Sequence, residues 1–228
     1  MSHLLYAILP ADTELSVPPP GLAGCSIALL RHEDLAAAYS LVSDGLPSPT
    51  IEQLLAYSAA IDVLHREATL LPLRYGCLLP SEAHVRDLLH SRRAEFVASL
   101  ATVADCLEMG LRLLPADTPR AGERAFVAVA PSGAAYLAAK RARLDAEAAH
   151  HRRADAIAAH IRQAFLSIVV RFAAAPPRQN EPLAFHFLIR RDDRPRFEEA
   201  FRQFQAGSAD RMLLTGPWPP YHFVDPLS

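Results

Sequence analysis

Lysine is all but absent from this chain of 228 residues: Lys140 stands alone, and arginine carries the remaining positive charge. With 23 basic and 25 acidic residues the formal net charge is −2, so no global field draws the protein to nucleic acid or to an anionic membrane surface. Glycine is scarce too, at nine residues, and none of them build a phosphate cradle. GxSxG and HExxH patterns are also missing, which removes common hydrolase and zinc-protease signatures. Cys25, Cys77 and Cys106 make no CxxC pair and are odd in number, against both a disulfide framework and a structural zinc site. They are expected to be reduced and mostly buried. Met1-Ser2-His3-Leu4-Leu5 lacks the basic stretch of a secretory leader, and Pro, Gly or charge interrupts every apolar run short of a membrane span. The expectation is a cytoplasmic protein with no membrane and no nucleic-acid partner.

What is present begins with 51% hydrophobic residues, enough for a sizeable core in one large or two small domains. The only tryptophan lies in the run Thr215-Gly216-Pro217-Trp218-Pro219-Pro220-Tyr221, followed by His222, Phe223 and Val224. Three prolines fix φ and withdraw three backbone donors, so the run is excluded from helix interiors and central strands and is expected to be extended and polyproline-like. Gly216 and Trp218, each preceding a proline, are pushed the same way. Trp218 and Tyr221 then become aromatic pegs on a stiff rod, for a clamp on the protein's own surface or for docking on a partner.

Punctuation and periodicity divide the chain into two α+β halves. Strands are expected at His3–Leu9, Cys25–Leu30 and Leu35–Val42, the first two separated by a proline-rich loop. Thr50 is a candidate N-cap for a helix that buries Ile51, Leu54, Leu55, Ile61 and Leu64. A strand at Leu70–Tyr75 ends at Gly76. Ser81 then caps a second helix with apolar positions Val85, Leu88, Leu89, Phe96, Leu100 and Val103, and a strand at Met109–Leu114 completes the half. A twisted sheet with helices packed on one face, a ferredoxin-like sandwich, is the economical arrangement.

Pro115–Gly122 is the expected boundary. Beyond it come a strand at Ala125–Val129 and a long helix at Ala134–Phe165, with Leu137, Leu144, Ala154, Ile157, Ala158, Ile161 and Phe165 on its thin apolar stripe; a pair of helices broken near His150-His151 fits nearly as well. Strands at Ser167–Phe172 and Leu183–Ile189 precede a helix opened by Asp192-Asp193-Arg194-Pro195, with Phe197, Ala200, Phe201 and Phe204 at helical spacing before Gly207. A short strand at Met212–Leu214 leads into the Trp218 run. The division is therefore residues 1–114, an N-terminal ferredoxin-like α+β domain; residues 115–214, a C-terminal α+β domain with a long helix or helical pair; and residues 215–228, a Pro/aromatic tail.

Four blocks together resemble the gas vesicle protein F/L family: Thr215–Val224, Leu71-Pro72-Leu73-Arg74-Tyr75-Gly76, Leu107-Glu108-Met109-Gly110-Leu111-Arg112-Leu113 and Ser132-Gly133-Ala134-Ala135-Tyr136-Leu137. Their order and spacing agree, and the resemblance runs from Tyr6 almost to the end. Leu73 and Tyr75 replace the phenylalanines more usual there. The resemblance implies a two-domain α+β accessory protein of gas vesicle assembly rather than an enzyme, located in the cytoplasm and at the gas vesicle. The expected partners are the hydrophobic shell subunit and other accessory proteins, with the chain serving as minor structural component or assembly chaperone. A self-associating adaptor that scaffolds accessory proteins alone is the alternative, and a small-molecule enzyme a third.

The candidate partner-binding or structural residues are Arg74, Tyr75, Gly76, Gly216, Pro217, Trp218, Pro219, Pro220 and Tyr221. Arg74 is expected to meet a buried carboxylate, Glu67 or Glu108. No catalytic, cofactor or metal residue is expected. His65 with Glu67 reads as a polar helix end, and His150, His151 and His160 as a solvated helix face with Glu147 at i−4 from His151.

Overall fold

From Leu4 to Leu9 the chain exposes no surface to solvent. This apolar run is the heart of strand β1 (Ser2–Pro10), and its unbroken burial means that both faces of the strand are covered. The computed structural model describes residues 1–17, 19–43, 49–115, 133–178 and 181–224. Two compact units emerge, Met1–Glu108 with Pro217–Ser228, and Met109–Gly216. The expected linker lies, from residue 116 onward, outside the described residues, as does the expected strand Ala125–Val129.

In the first unit β2 (Ala28–His32), β3 (Leu35–Val42), β1 and β4 (Leu71–Pro72) lie side by side in that order, and β5 (Leu78–Leu79) also pairs with β1. All these pairings are antiparallel. Helix α1 (Ile51–Glu67) starts on a capping box: the Gln53 backbone N–H donates to Thr50 Oγ1 at 3.2 Å, and the Thr50 N–H donates to Gln53 Oε1 at 3.0 Å. Its buried stripe is Tyr57, Ala60, Ile61, Leu64 and His65, and all of these but His65 pack with Leu4, Tyr6 and Leu9 in one cluster.

Ile51, Leu54 and Leu55, expected in that stripe, are 78%, 41% and 65% exposed. At 3.6 residues per turn Ile51 points roughly a third of a turn and Leu55 nearly half a turn away from the Tyr57–Leu64 face; two apolar faces read as one in the sequence.

The second expected helix is two, α2 (Glu82–Ser91) and α3 (Arg93–Val103), joined at Arg92 with φ −108° and ψ 16°. Neither glycine nor proline marks the break, and Val85, Leu89, Phe96, Leu100 and Val103 are buried on the expected face. Ser81 precedes α2 without capping its backbone; its hydroxyl is 2.8 Å from His84 Nδ1 instead. α2 contacts β2, β3 and β5, while α3 contacts β1 and β4. β1 is buried along both faces, whereas β2 keeps exposed positions.

In the second sheet the order is β7 (Val169–Ala174), β8 (Leu183–Arg190), β6 (Cys106–Leu114), β9 (Arg211–Trp218). The strand expected to finish the first sheet, Met109–Leu114, therefore belongs to the second; local pattern specifies a strand but not its neighbours. Helix α4 (Gly133–Phe165) is continuous through His150 and His151, which decides between the one-helix and two-helix readings. Leu137 and Leu144 on it are exposed, while Ala154, Ile161 and Phe165 are buried. α5 (Arg194–Ala206) carries proline in its first turn. Phe165, Phe187 and Phe197 bring α4, β8 and α5 together with ring centroids 5.0–5.3 Å apart, geometry that favours aromatic pairs beyond their burial.

Candidate functional site

Tyr57 lies where two of the sequence blocks, Leu71–Gly76 and Thr215–Val224, meet the core of the first unit. Its hydroxyl donates to the Leu5 carbonyl at 2.7 Å, and the Leu73 and Arg74 carbonyls each lie 3.2 Å away. Its ring stacks on Tyr6 at 4.8 Å and meets Tyr75 edge-on at 5.3 Å. Tyr75 and Tyr221 both pack against the cluster that contains Tyr57. Burial is the main reason the Tyr57 hydroxyl is held far above its ordinary pKa, with Tyr221, Cys77, Tyr6 and Tyr75 adding to it. Tyr221 is raised by burial first, then by Asp62 and Glu108.

The proline-rich run divides into two parts. Thr215 to Trp218 complete edge strand β9, where a proline without an N–H is tolerated. Gly216 has φ +111°, a departure from the expected polyproline geometry: the following proline restrains Gly216 without dictating the sign of its φ, and glycine alone occupies this region freely. Past the strand, Pro219 and Pro220 are buried and the chain turns, the Tyr221 N–H donating to the Pro219 carbonyl at 2.8 Å and the Phe223 N–H to the Pro220 carbonyl at 3.1 Å. Trp218 is 44% exposed and Phe223 buried. The aromatic residues seated inward are thus Tyr221 and Phe223 rather than Trp218.

Glu108 fastens this turn. Its side chain is only 3% exposed; Oε2 accepts the His222 backbone N–H at 2.9 Å and Oε1 accepts Nδ1–H of the same residue at 2.6 Å. Arg74, expected to pair with Glu108 or Glu67, has an exposed side chain and forms no ion pair among the described residues. Glu67 instead accepts the Ser16 backbone N–H at 2.8 Å. Gly76 has φ +96°, which turns the chain between β4 and β5. Arg74 and Gly76 remain at the surface, while Tyr75 is half-buried.

The histidines expected at polar helix positions separate. His65 is buried and Nε2–H donates to the Cys106 carbonyl at 3.1 Å; His151 Nδ1–H donates to the Glu147 carbonyl at 2.8 Å. His160 lies against Phe204 at 5.5 Å. Among the described residues His65, His150, His151 and His160 join no metal-sized cluster. A mixed groove of α4 and α5, about 570 Å³, is lined by Arg153, Ile157, His160, Phe204 and Asp210. Sequence reading missed Tyr57 and the Glu108–His222 pair: one lay between the apolar positions chosen for α1, and the other joins residues far apart in the chain.

Comparison with known proteins bears on the fold and the family. The gas vesicle protein F2 of Halobacterium salinarum is 25% identical over 238 residues, spanning 98% of this chain and 93% of that protein. The crystal structure of gas vesicle protein GvpF from Anabaena sp. PCC7120 superposes with a TM-score of 0.76 at 16% identity, covering 98% of this chain and 96% of that one. GvpF from Microcystis aeruginosa gives 0.77 at 15% identity, covering 97% and 98%. These structures share the α+β fold. Among the described residues no helix is long and apolar enough to cross a membrane. Residues 2–225 match the model of the family described as gas vesicle synthesis protein GvpL/GvpF, and the chain therefore belongs to that family.

Proposed function

We infer that this protein acts in gas vesicle assembly, in the cytoplasm and at the vesicle, as a non-enzymatic binder of the hydrophobic shell subunit or of other accessory proteins. The observation that supports direct binding is the solvent-facing apolar row Ile51, Leu54 and Leu55 on α1. A shell subunit whose apolar face must line a gas space aggregates unless it is held or delivered, and an exposed apolar row is a surface that can hold it. The test is retention of shell protein on this chain from co-expressing cells. Retention above an unrelated bait, weakened by Leu55→Asp, is expected; retention equal to the bait sinks direct binding.

A second reading, a self-associating adaptor, draws on the exposed Tyr136, Leu137 and Leu144 in the N-terminal half of α4. Light scattering that gives a monomer across the accessible concentration range would remove it.

A further inference from the structure

His32 ends β2, Glu33 opens the turn to β3, and His90 lies in the last turn of α2. Because α2 packs on both strands, the two histidines meet across the hairpin. His90 Nδ1 is 3.3 Å from Glu33 Oε1, and His32 Nε2 is 3.9 Å from the same oxygen. All three donor atoms lie within 4.8 Å of one another. In a tetrahedral zinc centre with bonds of about 2.0–2.1 Å, neighbouring donors stand roughly 3.3 Å apart. These partly exposed side chains need only a small contraction to reach that spacing.

Arg93 orients the carboxylate. Its Nε lies 2.9 Å from Glu33 Oε2, and its guanidinium donates to both oxygens of Asp34 at 2.8 and 2.7 Å. The arginine thus takes the outer oxygen and leaves Oε1 facing the imidazoles, while Asp34 offsets its charge and keeps the group net negative with both rings neutral. A charged neighbour held in this way helps to fix a ligating carboxylate. Glu33 also holds φ +54°, in a hairpin turn where glycine or asparagine is the usual choice. Two imidazoles and one carboxylate suit zinc-class divalent ions rather than calcium or magnesium.

We propose that His32 Nε2, His90 Nδ1 and Glu33 Oε1 bind one zinc-class ion, with water in the fourth position, pinning the β2–β3 turn to the end of α2. The experiment is calorimetric titration of zinc chloride into the metal-stripped full chain without a histidine tag. One ion per chain is expected, bound at least about tenfold more weakly by His90→Ala and by His32→Ala. His90 is exposed, so its variant keeps a folded reference should His32→Ala unfold, with circular dichroism as the check. A chain carrying Cys25→Ser and Cys77→Ser is expected to bind as the wild type does. No binding by the wild type, undiminished binding by His90→Ala, or loss of binding in the cysteine variant overturns the assignment.

Discussion

Glu108 binds His222 twice, once through the backbone N–H and once through the imidazole, at 2.9 and 2.6 Å. A nearly buried carboxylate on β6 thereby holds the turn that follows the tryptophan. Removing either partner gives unequal results. His222→Ala keeps the backbone N–H that donates to Glu108 Oε2 and is expected to cost about 1 kcal/mol, since the imidazole is half exposed. Glu108→Ala leaves a part-buried N–H without its acceptor and is expected to cost about 2 kcal/mol. Urea denaturation of both variants measures this order; equal and negligible effects contradict it.

Tyr221 and Trp218 are both prominent in sequence, yet only Tyr221 packs on the first unit's core. Tyr221→Ala is expected to lower stability by about 2 kcal/mol through lost burial, and Trp218→Ala by less than about 1 kcal/mol. Thermal melts decide between them. The reverse order would return the clamp to Trp218.

Alkaline stability follows from the buried phenols. Tyr57 and Tyr221 are both raised above the ordinary value of 10.0, chiefly by burial. Above that pH the unfolded chain releases protons that the folded chain retains. Their contribution is therefore complete below pH 10 and is lost as pH rises toward the folded values, by at most about 1.4 kcal/mol per pH unit for each tyrosine. Urea midpoints between about pH 8 and 11 are expected to fall less steeply in Tyr57→Phe than in the wild type; identical slopes contradict the account.

Gly110 and Thr215 share a space too small for another methyl group. A Cβ at Gly110 would stand 2.6 Å from Thr215 Oγ1, whose hydroxyl donates to the Gly110 carbonyl at 3.2 Å. Gly110→Ala is expected to destabilise by about 1–3 kcal/mol. Part of the loss should return in Gly110→Ala with Thr215→Ala, measured as a double-mutant cycle. Strict additivity contradicts the steric explanation.

Much of this architecture was legible in local pattern. The bounds of β3, the Thr50 cap of α1 and the proline start of α5 all follow from rules that act within a few residues. What escaped was set by distant partners. β6 reads as a strand, but its place in the second sheet depends on β8 and β9. The break at Arg92 carries no breaker residue. Arg74 was expected to meet Glu67 or Glu108, whereas the fold delivers His222 to Glu108 and leaves the Arg74 side chain exposed. Periodicity identified apolar positions on α1 without telling which face the sheet would cover, so the exposed row Ile51, Leu54 and Leu55 became visible only in the structure.

The most direct test of the assembly role uses a host strain deleted for this gene and complemented with either the wild-type chain or the Ile51→Asp, Leu55→Asp double variant, scored for buoyant vesicles. Restoration by the wild type and failure of an equally abundant, equally stable variant is the expected result. Normal vesicles in the deletion strain, or full restoration by the double variant, would contradict a role in assembly that runs through the exposed row on α1.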